Sequence, residues 1–363
     1  MLSSSIRSLL PLAVALLSAT AIAAEPSLSL RVSGPQDVDG VHNLKVVATL
    51  TNTGNDSIKL LNDPRSLLSK APANTFNIKN EKGDSPSFHG LRMKYSPIWS
   101  MNNGAASGTF TVLEPGQPVE VEHDLSSAYD FTHAGEGSYD ITAAKSFHYL
   151  DESTQKLKVI EAKVERGFKS KVSGKLVKAR ATRPVRRSPG GIEYSNCSEK
   201  QQSQILNATI AAQAYTNSSY EYLSKQNETG TPRYETWFGN FTQQRHDNVT
   251  THYANLLKHP YTNYTYECRP DDCSSNTTFA YVYPTEFGTI NLCNAFWQTN
   301  TTGADSRAGT LVHEALHFQI IAGTGDHAYT RGPAMELAAE SPELAIDNSD
   351  SHEYFSENVE ELD

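Results

Sequence analysis

The chain has 363 residues, of which 38% are hydrophobic and 20% charged, a composition that suits two globular domains and excludes a disordered or fibrous protein. Its formal charge of −10 at pH 7 argues against nucleic acid as a partner.

Residues 1–24 read as a secretory signal: Arg7 supplies the positive start, Leu9 to Leu17 the apolar stretch, and Ala21-Ile22-Ala23 the small-residue cleavage context. No later apolar run has the length of a membrane span, so an exported, extracellular protein without a membrane anchor is expected. From 25 to 178 the pattern is that of strands. Leu28–Val32, Leu44–Leu50 and Val119–Glu122 alternate or are rich in β-formers and are broken by turns such as Glu114-Pro115-Gly116, which predicts an all-β, sandwich-like domain of about seven strands. His89, His123, His133 and His148 are scattered through it and are expected at the surface rather than on a metal.

Residues 178–191 are basic and rich in Pro and Gly, as in an unfolded linker. The Arg186-Arg187 pair there matches the target of a kexin-like processing protease, a plain solvated linker being the alternative. This divides the chain into a signal (1–24), a β-rich propeptide (25–187) and a mature domain (188–363). From Ser188 onward 8 Lys/Arg stand against 23 Asp/Glu, a balance of −15, while the 23 Lys/Arg and 18 Asp/Glu upstream leave +5. A basic segment attached to an acidic domain is drawn to it, and the expectation is a propeptide that assists folding and masks the site until it is removed.

The mature part opens with two helix-like segments, about Glu199 to Lys225 and Gln243 to Lys258; His246 and His252 in the second are six apart, share no helix face well and read as structural. All four cysteines, Cys197, Cys268, Cys273 and Cys293, lie in this part, and an even count in an exported protein reads as two disulfides with three possible pairings. Nine sequons between Asn196 and Asn300, with a tenth at Asn55, suggest a secreted glycoprotein. Thr278–Pro284 and Gly288–Cys293 look like paired strands, whose edge could hold an extended peptide by backbone hydrogen bonds.

Then comes Gly309-Thr310-Leu311-Val312-His313-Glu314-Ala315-Leu316-His317-Phe318, an H-E-x-x-H pattern in a helix-like segment. Asp305 or Ser306 offers the N-cap and Gly323 a C-terminal stop. Residues four apart lie on one helix face, so His313 and His317 can reach a single ion while Glu314 is placed to take a proton from an activated water. Zinc suits two imidazoles and a third protein ligand, leaving room for water. A histidine third ligand of the H-E-x-x-H-x-x-G-x-x-H kind is excluded, because Ile320 and Gly323 stand where Gly and His are required. Two carboxylates stay open: Glu336, on a later helix-like run, and Asp326, on a Gly-rich turn.

His313-Glu314-x-x-His317 followed by Gly323-Thr324-x-Asp326-x-x-Tyr329 resembles the aspzincin metallopeptidases, the deuterolysin and peptidyl-Lys metalloendopeptidase group. The resemblance extends from about Cys197 to Asn358. It implies an α+β fold whose zincin-type catalytic domain is mostly helical with a small sheet. It implies one zinc ion held by His313, His317 and Asp326, with Glu314 as general base and Tyr329 as the hydroxyl that steadies the oxyanion. It pairs Cys197 with Cys268 and Cys273 with Cys293. One departure is visible: Thr330 stands where the family's motif usually closes with Gly, so an altered loop with an intact ligand set is expected. His327 is expected to point away if Asp326 points in.

Beyond a helix-like run at 333–346, the segment Asn348–Asn358 is similar to one that in the Lys-specific branch supplies two carboxylates to the pocket for the residue after the scissile bond. By position these are Asp350 and Glu353, the plain alternative being a solvated acidic tail. The expectation is a secreted, monomeric zinc endopeptidase acting on polypeptides, cutting before lysine and activated by propeptide removal. A broader deuterolysin-type specificity is the runner-up, and a silent secreted glycoprotein with a structural zinc is the distant one.

Overall fold

The computed structural model describes residues 25–103, 108–178, 191–226, 228–273 and 277–363. The expected signal, the Arg186-Arg187 pair and the sequons at Asn227 and Asn276 lie outside the described residues.

The N-terminal half begins with β1 (Leu28–Ser33), β2 (Asp37–Asp39), β3 (Lys45–Asn52), β4 (Ile58–Leu61), β5 (Phe76–Asn80), β6 (Ser87–Phe88) and β7 (Arg92–Tyr95). After a helix α1 (Pro97–Asn103) come β8 (Phe110–Leu113), β9 (Pro118–Asp124), β10 (Tyr129–Asp130), β11 (Gly137–Ala143) and β12 (Ser146–Asp151). β13 (Lys156–Glu161), β14 (Lys163–Arg166) and β15 (Phe168–Ser173) complete it. Three four-stranded sheets, β14-β1-β3-β9, β2-β15-β11-β5 and β13-β12-β4-β8, and the short pair β10-β6 account for every strand but β7. Alternation explains the layering: in β3 every second residue from Val46 to Asn52 is buried, and Leu30, Val46, Ile78, Tyr139, Ile141 and Val172 meet in one core. The half is thus β-rich, with more strands than the expected seven and one short helix, α1. His123 is a further correction: it is buried, its Nε2 lying 3.2 Å from the Leu67 carbonyl oxygen, because it sits on an inward position of β9.

In the C-terminal half, β16 (Glu193–Ser195) leads to α2 (Glu199–Lys225), α3 (Pro232–Phe238) and α4 (Gln243–Lys258). Then follow β17 (Thr265–Glu267), β18 (Thr278–Val282), β19 (Thr289–Leu292), α5 (Arg307–His317), α6 (Arg331–Glu340), α7 (Pro342–Ala345) and α8 (Ser349–Glu357). The long α2 starts in a capping box, with the Ser198 and Gln201 side chains satisfying each other's backbone N–H groups, and it buries Ile205, Ala208, Ala212 and Leu223 against the other helices. The 333–346 run is two helices, since Pro342 cannot continue the first. Disulfides join Cys197 to Cys268 and Cys273 to Cys293. The α+β class follows directly.

The sheet of this half runs β16-β17-β19-β18 and then takes β7 from the other half as its fifth, antiparallel strand. Tyr95 pairs with Thr278, Lys94 with Ala280, Met93 with Tyr281 and Arg92 with Val282. Trp99 of α1 packs edge-on against Phe279, extending the contact. Among the described residues no helix is long and apolar enough to cross a membrane.

α8 is anchored by a pair of imidazoles. His352 Nδ1 lies 3.0 Å from the Asn348 carbonyl, so it carries the hydrogen and donates, and its Nε2 faces His252 Nδ1 of α4 at 3.0 Å. Burial pushes His352 down to about 3 and His252 to about 4. Both folded values lie below the ordinary one near 6.5, so the unfolded chain binds the extra protons; the contribution to stability is whole above about pH 6.5 and is lost as pH falls toward 4 and 3. Urea unfolding at pH 7 and pH 5 should therefore show a loss of stability in acid that is smaller in His352→Gln; an equal loss in the variant refutes this role.

Candidate active site

α5 carries the H-E-x-x-H pattern into the centre of the C-terminal half. Its N-cap is Ser306, whose hydroxyl accepts the Gly309 N–H at 2.9 Å. Glu357 of α8 reinforces this end, accepting from the Ser306 N–H at 2.9 Å and its hydroxyl at 2.8 Å. Gly309 makes the approach of α8 possible: a Cβ there would sit 2.2 Å from Glu357 Oε1 and 3.0 Å from Glu353 Cγ. The helix ends at His317, with Phe318 as C-cap, six residues short of the Gly323 stop expected from sequence; Gly323, at φ +69°, serves the following turn. That turn returns Asp326 to the helix.

Three side-chain atoms converge. His313 Nε2 lies 3.2 Å and His317 Nε2 3.3 Å from Asp326 Oδ1, all are buried, and none has a hydrogen-bond partner. His317 Nδ1 faces the Thr324 carbonyl at 2.8 Å, which assigns its hydrogen to Nδ1 and leaves the Nε2 lone pair directed at the cluster. Two imidazole nitrogens and a carboxylate oxygen, orphaned and mutually in reach, fit a zinc-type cation: unpartnered buried polar atoms are costly, and a cation would satisfy all three. Burial opposes a charge on Asp326, yet His317 and His313 outweigh it and hold the carboxyl well below its usual range. Glu336, the other candidate, is exposed on α6 and away from the cluster. His327 turns outward to Asp347 Oδ2 at 2.7 Å.

Glu314 is wholly buried; its Oε1 accepts the Lys94 N–H of β7 at 2.7 Å, and its Oε2 has no partner. Burial pushes its carboxyl up to about 8 against the pull of His313. The Tyr329 hydroxyl donates to the Met93 carbonyl, and the Met93 N–H reaches Asp326 Oδ2 at 3.4 Å. Arg65, tied to Asp63 at 3.0 Å, stacks its guanidinium 3.8 Å from the centre of the Tyr329 ring.

Beside these lies an acidic pocket. Asp350 and Glu353, both wholly buried on the first turns of α8, belong to the core of the site and not to a solvated tail. The Lys94 ammonium stands 3.0 Å from Asp350 Oδ1, 2.8 Å from Glu353 Oε2 and 3.0 Å from Asp305 Oδ1, over the Tyr354 ring. Burial disfavours its charge, but Asp350 and Glu353 outweigh that and hold its pKa well above the usual lysine range. Sequence reasoning missed Lys94, Asp305 as a pocket carboxylate, and Arg65. Lys94 had no signal of its own, because its placement depends on pairing with a strand almost 190 residues later.

The Thr330 departure has a definite outcome. Thr330 takes φ +69° and ψ 160°, so the backbone keeps a glycine-like turn despite the side chain, and its N–H donates to Asp350 Oδ2 at 2.7 Å. The loop expected to be altered therefore carries a threonine in strained backbone.

A histidine pair and an aspartate on one cation-sized cluster, with a carboxyl at its side that keeps one oxygen unpartnered and a peptide strand across it, define a metal-dependent peptide hydrolase. Residues 222–357 match the aspzincin family, described as lysine-specific metallo-endopeptidase. The peptidyl-Lys metalloendopeptidase of Grifola frondosa is 47% identical over 346 residues, 95% of this chain and 97% of its own. That of Armillaria mellea is 47% identical over 343 residues, 94% and 95% of the two chains. An extracellular protease of Aeromonas hydrophila is 31% identical over 324 residues, 87% and 88%. The chain belongs to the aspzincin metalloendopeptidases, enzymes whose substrates are polypeptides.

Two outcomes follow. In a metal-content measurement after dialysis, Asp326→Ala should bind zinc more than about 100-fold more weakly, exceeding the loss known for residues that merely support a ligand, while Glu336→Ala keeps it; the reverse result overturns the ligand set. Thr330→Gly relieves about 1–3 kcal/mol of backbone strain and gives up about 0.5–1 kcal/mol of chain entropy plus some packing, so its denaturation midpoint should match or exceed the parent's. A marked drop contradicts the strain.

Proposed function

We propose that this chain is the precursor of a secreted endopeptidase that uses one zinc ion to cut polypeptides on the N-terminal side of lysine. The observation that carries the reading is the buried pair Asp350 and Glu353, joined at the rim by the partly exposed Asp305, closing around an ammonium group beside the cation-fitting cluster. Recognition of a lysine ammonium repays burying two adjacent carboxylates, each of which costs several kcal/mol of hydration unless it is paired. The pocket also has an aromatic side, where the ammonium stands 4.8 Å from the centre of the Tyr354 ring and 6.0 Å from that of Phe279. The names of the Grifola and Armillaria relatives support the same preference. The broader, deuterolysin-type reading has no comparable feature on its side.

His313, His317 and Asp326 would hold the zinc, which supplies Lewis acidity and a water acidic enough to ionise at neutral pH. The protein's own groups do the rest. Glu314 Oε2, buried and unpartnered, is positioned to take the proton from the attacking water. Glu314 Oε1 meets the N–H of the residue in the lysine site, so the same carboxyl can return that proton to the departing amine. Tyr329 points its hydroxyl at the carbonyl oxygen preceding that residue, where negative charge develops. Strand pairing with β18 aligns the backbone, and the pocket selects the side chain.

The proposal includes a propeptide of 25–187 released by a kexin-like protease at Arg186-Arg187, export by the 1–24 signal, and a monomeric mature enzyme of 188–363. The Aeromonas relative's extracellular designation and the disulfides support export.

The processed protein, digesting a denatured protein mixture, should generate new N-termini that begin with lysine and disappear with a chelator. Glu314→Gln should lower kcat/KM by at least about 1,000-fold while retaining zinc. Chelator-sensitive but scattered cleavage would leave the broader specificity, and no cleavage by the zinc-loaded processed form would favour the silent glycoprotein.

A further inference from the structure

Among the described lysines only Lys94 is buried, and every charged partner it has belongs to the C-terminal half. A packing role does not require this, because lysine is the side chain least often taken fully out of water. The backbone on both sides is as specific as the side chain. The Met93 carbonyl receives the Tyr329 hydroxyl, the Lys94 N–H meets Glu314 Oε1, and the Met93 N–H faces Asp326. Met93 itself packs with Leu91, Tyr281 and Cys293, and residues 92–95 run antiparallel to β18 in full register but for one irregularity between Thr278 and Ala280. Each group that the mechanism above assigns to a substrate finds its counterpart at one peptide bond, Met93–Lys94.

We propose that Met93–Lys94 is a substrate bond of this chain's own active site: β7 fills the cleft as a competing peptide, and the zinc-loaded site cuts it there. This rests on the reading under Proposed function. In the step, a water oxygen adds to the Met93 carbonyl carbon and the Met93–Lys94 C–N bond breaks. Oxygen stays with Met93 as a carboxylate, and a proton passes to the Lys94 nitrogen, which leaves as a free amine. The cut converts one continuous strand, paired with β18 both before and after the cleaved bond, into two ends that dissociate independently, so the advantage of being tethered across the cleft is lost. Cleavage before Lys94 and cleavage in the 178–191 linker are then two separate events in clearing the site.

The test uses the full chain carrying Arg186→Ala and Arg187→Ala, loaded with zinc and followed by intact mass and N-terminal sequencing. A new N-terminus at Lys94 is expected, absent from Glu314→Gln and from Lys94→Met chains. A second readout needs no activity: the metal-free full chain should bind a fluorescent lysine-containing peptide at least about tenfold more weakly than its Lys94→Met variant, because its own lysine already occupies the pocket. If the processed form cuts lysine peptides while Met93–Lys94 survives prolonged incubation in the zinc-loaded chain, the self-cleavage is refuted and the function stands. Processed protein that cuts no lysine peptide refutes the function, and with it this proposal. Equal peptide binding by parent and Lys94→Met refutes the occupied pocket. Should Lys94→Met fail to fold, the cleavage pattern of the parent chain still decides the matter.

Discussion

The ammonium of Lys94, enclosed by Asp305, Asp350 and Glu353, is the interaction on which the arrangement of this molecule turns. Without a cation, the carboxylates of Asp350 and Glu353 would share a site closed to water, where each raises the cost of ionising the other. With one, Asp350 is held below its usual range by Lys94 in spite of burial, while burial keeps Glu353 above its own. Removing one partner of such a buried group is expected to cost about 3–5 kcal/mol, so Lys94 is a strong link between the N-terminal and C-terminal halves.

The same carboxylates look the other way, onto the metal-fitting cluster. His313 Nδ1 lies 2.9 Å from Asp350 Oδ1 and 3.2 Å from Glu353 Oε2, close enough for ion pairing although not aligned as hydrogen bonds. In the proposed function recognition and metal binding would share a wall, since α8 touches both the Lys94 side chain and the His313 imidazole. That wall depends on small details of packing. Gly309 admits α8 to the face of α5, Glu357 fastens its end to the α5 N-terminus, and Thr330 accepts a strained backbone to direct an N–H at Asp350.

What could be read in advance follows the distance over which each feature is specified. The helices were legible because their signals are local: Ser198 with Gln201 opens α2 and Ser306 opens α5, while the His313–His317 spacing states its own geometry. The third ligand was less so. Asp326 and Glu336 were both open by spacing, and only a family resemblance, followed by the exposure of Glu336, separates them. The boundaries of α5 and the number of strands came out differently because a turn glycine and alternating polar residues do not say where tertiary contacts stop. Lys94 was not legible at all. Four residues in a β-rich region carry no mark of which sheet they join, and β7 leaves its own half to complete the other's.

The claim that Asp350 and Glu353 form a lysine-selecting pocket next to the metal cluster is tested most directly by sequencing the N-termini that processed Asp350→Asn and Glu353→Gln enzymes release from a denatured protein mixture. The account predicts that cutting remains chelator-sensitive but that lysine loses its dominance after the cut. Lysine-led N-termini persisting at the parent's frequency in both variants would contradict it.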